Sequence, residues 1–296
     1  MIPKQLGEFS DPVLICGGAY SNLEALTALL QEAERRGISP SHIVHTGDVV
    51  AYAADPAACA DLLMRSGARA IQGNVEEQLA ANAADCACGY DEATLCGTLA
   101  KGWYAHADAQ VSPEQRRWMG NLPHQLTFTM AGLKVRVVHG GVHQINRFIY
   151  PSDDDNVFRQ ELAAAGADVV VAGHCGIPFT RHVGNAVWHN SGALGMPAND
   201  GTPRAWYSVL TPERGAVRIE HAALTYDYLA AQAKMRAQGL PEGYAQALSS
   251  GLLPQGNALP EREQAKAGIA LSPAIVIWPA RSGAEAASGD LRIELA

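Results

Sequence analysis

Four polar side chains able to bind a metal ion each follow a short apolar run and have a glycine beside them. Asp48 ends Ile43-Val-His-Thr-Gly-Asp48, and Asn74 ends Ala70-Ile-Gln-Gly-Asn74. His139 follows Val135-Arg-Val-Val, with Gly140-Gly141 behind it, and His174 ends Val169-Val-Val-Ala-Gly-His174. One carboxylate, one carboxamide and two imidazoles offer two oxygens and two nitrogens. That set suits Mn, Fe or Zn and leaves positions for water or substrate. One such ion can polarise a phosphoryl or carbonyl oxygen and bring the pKa of water to about 7. It does not supply the two-metal clamp that holds the attacking and leaving oxygens together. Taken singly, each of the four also has a purely structural reading, as a buried and hydrogen-bonded side chain.

The apolar runs read as strands. In open α/β sheets, ligands sit outside the carboxyl ends of the strands, so side chains far apart in sequence can meet there. Pro12-Val-Leu-Ile-Cys16 is a first strand broken by Gly17-Gly18. Asn22 can cap a helix to about Arg36, with Leu23, Leu26, Leu29, Leu30 and Ala33 on one face and Gly37 as its stop. Asp55-Pro56 pairs an N-cap with a first-turn proline and opens a helix to about Arg65. The resulting β-α-β-α-β order implies parallel strands and right-handed crossovers. Residues 76–122 read as an alanine-rich helical insert, expected to cap one side of the site, with a capping box at Ser112–Gln115. Strands resume at Leu126–Met130 and Leu133–Val138 around an Ala131-Gly132 turn, and a helix over 153–165 precedes the His174 strand. Short strands follow at 186–189 and 205–210, then helices at 226–238 and 244–249. In the Pro-, Gly- and Ala-rich tail only Ala274–Trp278 is strand-like. The expected organisation is one domain over 1–225 and a C-terminal segment over 226–296.

The chain has 296 residues, 48% hydrophobic and 18% charged, with a net charge of −8. No Lys/Arg run exceeds two residues, which argues against nucleic-acid binding as the main activity. The N-terminus lacks an apolar signal core, and no apolar run approaches the roughly 18 residues of a membrane span. The expectation is a cytoplasmic protein with a small-molecule substrate, no nucleic-acid or membrane partner, and a homo-oligomer left open. The six cysteines do not suggest a disulfide framework. They read as reduced thiols, and the one cluster, Cys86-Ala-Cys88 with Cys96, leaves a metal or redox role open.

Gly47-Asp48, Gly73-Asn74, His139-Gly140 and Gly173-His174 fall in the order and spacing of a known family pattern. The flanks Asn22-Leu-Glu-Ala-Leu26, Gly47 to Pro56, and Asn190 to Pro197 match it too. Over roughly residues 12–225 the chain resembles the calcineurin-like metallophosphoesterases, particularly the small bacterial members. The resemblance implies a four-layer α/β/β/α sandwich and phosphoester hydrolysis at a metal centre. Family members hold two metals bridged by the second-motif Asp, here Asp48. The first metal takes, in addition, an Asp and a His from motif one and the last His of Gly-His-x-His. Here Gly18, Tyr20 and Gly176 stand at those positions, so its private ligands are missing. The second metal's set is complete: Asp48, Asn74, His139 and His174. The motif-three His is replaced by Val75.

The resemblance therefore implies one divalent ion per chain, with Asp48 and His139 assigned to catalysis as well as to the metal. Tyr20, Asn22, His143 and Arg147 are the candidate substrate contacts. Arg147 suits an anion, and Tyr20 suits an aromatic plug in the vacated position, a substrate contact or a phenolate ligand. Glu76 and Glu77 read as support for the start of a helix, or as carboxylates behind the ligands. Cys16 and Cys175 could approach the emptied position as thiolates. The expected function is a metal-dependent hydrolase, a phosphoesterase acting on a small phosphorylated metabolite. The alternatives are a weak or inactive metal-binding relative with a regulatory role, and a metalloenzyme with a non-phosphate substrate.

Overall fold

The computed structural model describes residues 2–88, 95–254, 259–279 and 292–295, with 95–98 and 292–295 as backbone. In chain order the elements are β1 (Lys4–Glu8), β2 (Val13–Cys16), α1 (Leu23–Arg35), β3 (Ile43–His45), α2 (Pro56–Ser66), β4 (Arg69–Ala70) and α3 (Asn74–Ala80). There follow α4 (Leu95–Gln110), α5 (Pro113–Asn121), β5 (Leu126–Met130), β6 (Leu133–Val137), α6 (Asp155–Ala165), β7 (Val169–Ala172), β8 (Phe179–Val183) and β9 (Ala186–Asn190). The chain closes with β10 (Ala205–Glu213), β11 (Ala216–Leu224), α7 (Tyr228–Ala237), α8 (Glu242–Ser250), α9 (Glu261–Gln264), β12 (Ala274–Pro279) and β13 (Arg292–Leu295).

Two sheets result. One has six strands in the order β1-β5-β6-β7-β9-β8, the other seven in the order β13-β12-β11-β10-β2-β3-β4. Alternation along the strands assigns the layers. Val13 and Ile15 face the six-stranded sheet, where they meet Val135, Val169 and Val171, while Leu14 and Cys16 face α1 through Leu26 and Leu29. Val170 and Ala172 face the other way, onto Phe158 and Leu162 of α6. Helix, sheet, sheet, helix is the four-layer sandwich. Full burial of a leucine such as Leu26 contributes roughly 1.5–3 kcal/mol, so the central layers carry most of the stability.

Caps match their residue types. The Asn22 side chain accepts from Ala25 N at the start of α1, and Ser112 and Gln115 exchange bonds at the start of α5. Asp55 stands at the N-cap of α2 but makes no capping bond. Its carboxylate binds Lys234 Nζ at 2.8 Å and so ties α2 to α7. Asn74 was expected at a strand end. β4 instead stops at Ala70, and Asn74 opens α3. β1, β8, β11 and β13 add to the strands read from sequence. β12 lies in register against β11, with Val276 opposite Ile219, so the tail strand extends the seven-stranded sheet. Among the described residues no helix is long and apolar enough to cross a membrane.

Candidate metal centre

The loops after β3 and β4 in one sheet, and after β6 and β7 in the other, open at the same end of the sandwich. The strands of each pair are adjacent and parallel. Two glycines let the loops approach. A Cβ on Gly47 would lie 2.6 Å from Gly73 N and 2.8 Å from His139 Nδ1, and one on Gly73 would lie 2.3 Å from Asp48 Oδ1. Only hydrogen fits at either position, which brings Asp48 beside Asn74. Asp48 and His174 have φ of +59° and +51°, a left-handed backbone that costs a non-glycine residue on the order of 1 kcal/mol or more. The buried Glu76 carboxylate holds the Asp48 turn, accepting from Asp48 N (2.7 Å), Val49 N (2.8 Å) and Gly73 N (2.9 Å).

The donor atoms converge. His139 Nε2 lies 3.0 Å from His174 Nδ1, 3.1 Å from Asn74 Oδ1 and 3.3 Å from Asp48 Oδ2; His174 Nδ1 lies 4.0 Å from that oxygen. Metal–ligand bonds of about 2.0–2.2 Å set ligand–ligand edges of about 3.0–3.5 Å in tetrahedral or octahedral geometry. Three of these spacings fit a small divalent ion as they stand, and the fourth, from His174 Nδ1 to Asp48 Oδ2, needs to close by about half an ångström. His139 Nδ1 faces the Thr46 carbonyl at 2.7 Å; donating there leaves the Nε2 lone pair turned to the centre. Asn74 Nδ2 donates to the Cys86 carbonyl at 2.8 Å, which turns Oδ1 inward.

Burial and the neighbouring charges shift the ionisable groups of the cluster in different directions. Burial opposes ionisation of Asp48, but His139, by charge and hydrogen bond, then His174 and Val75 N–H outweigh it and hold the carboxyl below its ordinary value. Burial likewise opposes protonation of His139, yet Asp48 wins and its pKa is raised. His174 is pushed down to about 3, first by burial and then by His139, so it presents a neutral imidazole. Burial first, then the Asp48 charge, lift Glu76 to about 7 against the pull of its N–H donors.

The Tyr20 ring lies over Gly18, and these are two of the positions to which the resemblance assigns ligands of a first metal. A Cβ on Gly18 would lie 2.2 Å from the Tyr20 ring, so the ring takes the space a motif-one carboxylate would need. Tyr20 has φ +51° and is 5% exposed; its N–H donates to the Asp48 carbonyl at 3.1 Å. The ring packs edge-on to Tyr52 (4.9 Å), which in turn meets Tyr244 of α8 (4.6 Å). Tyr20, Tyr52, Tyr244 and Phe148 wall a cavity of about 60 Å³ beside Asp48, Asn74 and His174. Leu253 and Leu259 from the C-terminal segment also line it.

Of the other expected contacts, Asn22 is spent on structure: beyond its cap, Nδ2 donates to the Gly195 carbonyl and Tyr226 Oη. Arg147 pairs with Glu161 at 2.6 Å and His143 is exposed, and neither lines the cavity. Cys16, the last residue of β2, is fully buried on the α1 side, and burial raises its thiol far above the usual range. Cys175 lines the cavity with its thiol pushed up to about 12, again by burial. Burial thus favours the protonated thiol at both, against the thiolate that the sequence left open. Cys86 and Cys88, read as reduced thiols, form a disulfide, and the Cys96 side chain lies outside the described residues. Val75, at the motif-three position, packs into the core and gives only its N–H to Asp48. His189 is buried between the sheets. Sequence reasoning missed the part of Phe148, whose ring lies 4.2 Å from His174, and that of Tyr244; nothing local in the sequence marks either one.

Comparison with known proteins bears on the fold and the family. The chain is 26% identical over 256 residues to the uncharacterised protein MJ0912 of Methanocaldococcus jannaschii, covering 81% of this chain and 98% of that one. Its fold matches a metallophosphoesterase from Sphaerobacter thermophilus, with a TM-score of 0.65, 22% identity, and coverage of 82% of this chain and 100% of that one. It also matches the hypothetical protein PH1004 from Pyrococcus horikoshii OT3, with a TM-score of 0.68, 17% identity, and coverage of 82% and 99%. A family model for the calcineurin-like phosphoesterase superfamily domain matches residues 13–214, and the chain belongs to that superfamily.

Proposed function

We propose that the protein is a metal-dependent phosphoesterase that works with one divalent ion and acts on a small phosphorylated metabolite. The observation that carries this reading is the set of donor atoms on Asp48, Asn74, His139 and His174, brought together by backbone that is otherwise costly. When bound there, a divalent ion supplies Lewis-acid polarisation of a phosphoryl oxygen and acidifies a water molecule. The residues do the rest. Asp48 adds negative charge that keeps the ion in place, and His139 is oriented by Thr46. His174 stays neutral, and Tyr20 excludes water from the space over Gly18. Mn, Fe or Zn suits two oxygens and two imidazoles. The substrate contacts are assigned to Tyr20 and the aromatic wall; Asn22, His143 and Arg147 would need to move to join them. The reading takes the site to be intracellular and served by free metabolites.

A second reading, a weak or inactive metal-binding relative, is favoured by the small cavity, which has no Lys or Arg among its described lining residues. Hydrolysis of a panel of phosphomonoesters and phosphodiesters by the Mn²⁺-loaded chain separates the two. The phosphoesterase reading expects turnover that is lost on chelation and in Asn74→Ala and His174→Ala. Tight metal binding with no turnover on any ester would support the second reading.

A further inference from the structure

The Cys86–Cys88 disulfide lies against the metal centre, and the carbonyls of its short ring face two segments that carry ligands. An asparagine amide has a donor and an acceptor end of nearly the same shape, so only its hydrogen bonds decide which end faces the ion. The Cys86 carbonyl makes that choice for Asn74 by taking its Nδ2 at 2.8 Å. The next carbonyl, of Ala87, accepts from Asn146 Nδ2 at 2.9 Å. Asn146 lies in the loop after His139, and Phe148 of the same loop packs against the His174 imidazole at 4.2 Å. Ala87 itself has φ +46°, and its N–H is held by Asp85 Oδ1 at 2.8 Å. Cys86 and Cys88 are 5% and 8% exposed, and Cys88 forms part of the cavity wall.

We propose that the Cys86–Cys88 disulfide is a redox-sensitive positioning element for the metal centre: its reduction by a dithiol frees Asn74 and Asn146 and weakens binding of a divalent ion. This rests on the metal reading given above. A thiolate of the dithiol attacks one sulfur and the Sγ–Sγ bond breaks, giving a mixed disulfide and one free thiol. The second thiol of the reagent closes on the first and releases the other cysteine. Two electrons and two protons pass to the protein, and the dithiol leaves as a cyclic disulfide. With the ring open, the two carbonyls lose their fixed directions, and the Asn74 amide is free to present nitrogen instead of oxygen. Disulfides in reducing compartments are usually transient and redox-sensing, which is the use proposed here.

The test is a titration of the full chain with Mn²⁺, a hard ion that a freed Cys88 thiol binds poorly. It is run on oxidised protein, on protein reduced with dithiothreitol and then desalted without oxygen, and on the Cys86→Ser/Cys88→Ser variant. Thiols are counted in denaturant, and reduction should add two to the count. Loss of a group that orients a ligand costs typically 10–100-fold in metal affinity, so the reduced chain and the double variant should both bind at least about tenfold more weakly, with unchanged circular dichroism. The variant should also ignore reductant. In Asn74→Asp, where either end of the side chain is oxygen, the ratio between the two states should fall toward one, which a purely structural role of the disulfide would not produce. Equal Mn²⁺ affinity in the two states, with the thiol count confirming reduction, would overturn the proposal. So would six free thiols in protein alkylated as it is purified. If the oxidised chain binds no Mn²⁺ at all, the metal reading itself fails and takes this proposal with it.

Discussion

The Tyr20 ring lies so close over Gly18 that one added methyl would overlap it. Inserting atoms into such packing costs about 1–3 kcal/mol. Gly18→Ala should therefore destabilise the chain by that amount, and by much less in a Tyr20→Ala background. Urea unfolding of the two single variants and the double variant would give a coupling of at least about 1 kcal/mol. Additive costs would mean that the ring does not fill this space. Glu76 acts through backbone: its two oxygens take three N–H groups around Asp48. Glu76→Gln leaves a single acceptor oxygen, so at least one buried N–H is orphaned. Calorimetric metal affinity should fall roughly 10–100-fold while the fold persists; an unchanged affinity would remove Glu76 from the centre. At this scale the sequence showed Asp48, Asn74, His139 and His174 clearly, because each stands beside a glycine that only a close approach requires. It did not show that Arg147 is committed to Glu161 or Asn22 to Gly195, since those partners lie on other elements.

Elements that announce themselves by apolar runs and caps were readable: β2 and β3 with α1 between them, the β5–β6 hairpin, and α5 with its capping box. β8 and β11 were not, because Phe179-Thr-Arg-His-Val and Val217-Arg-Ile-Glu-His alternate with polar residues whose burial is settled only by the opposing sheet. β4 is two residues long and leaves no pattern. The tail strand was visible as a run but its place was not. It lies on β11 with Trp278 opposite Val217, and Val276 and Trp278 enter the core between the sheets. Trp278 is 5% exposed, and its truncation to alanine should cost about 3–5 kcal/mol in urea unfolding, as for other buried aromatics. A midpoint unchanged from the parent chain would show that the fold does not need this strand.

Stacking of the two sheets also buries a polar chain that no single element explains. Ser208 Oγ meets His189 Nε2 at 2.9 Å, and Thr180 Oγ1 bridges His189 Nδ1 (2.9 Å) and His221 Nε2 (2.7 Å). His221 Nδ1 is buried with no partner among the described residues. Burial pushes the His221 pKa down to about 4, whereas in the unfolded chain it titrates near the ordinary histidine value of about 6.5. A lowered folded-state pKa means that stability is whole above about 6.5 and is lost as pH falls toward 4, because the unfolded chain takes the proton first. Between pH 7 and pH 5 this residue should cost about 2 kcal/mol, at about 1.4 kcal/mol per pH unit below 6.5. His221→Gln keeps a partner for Thr180 without the titration, so it should lose about that much less over the same interval. Equal losses in parent and variant would contradict the assignment; His45, His174 and His189, also pushed down by burial, are common to both chains.

The same stacking joins the loop ends of both sheets into one site, and the central claim is that this site is built for a single ion. Metal content per chain, measured by mass spectrometry on protein purified without added metal, tests that claim most directly. The account predicts one ion per chain, lost in Asp48→Asn and His139→Ala variants that remain folded. Two ions per chain would mean that the position occupied by Tyr20 still binds metal, and no ion in the folded parent chain would contradict the metal centre itself.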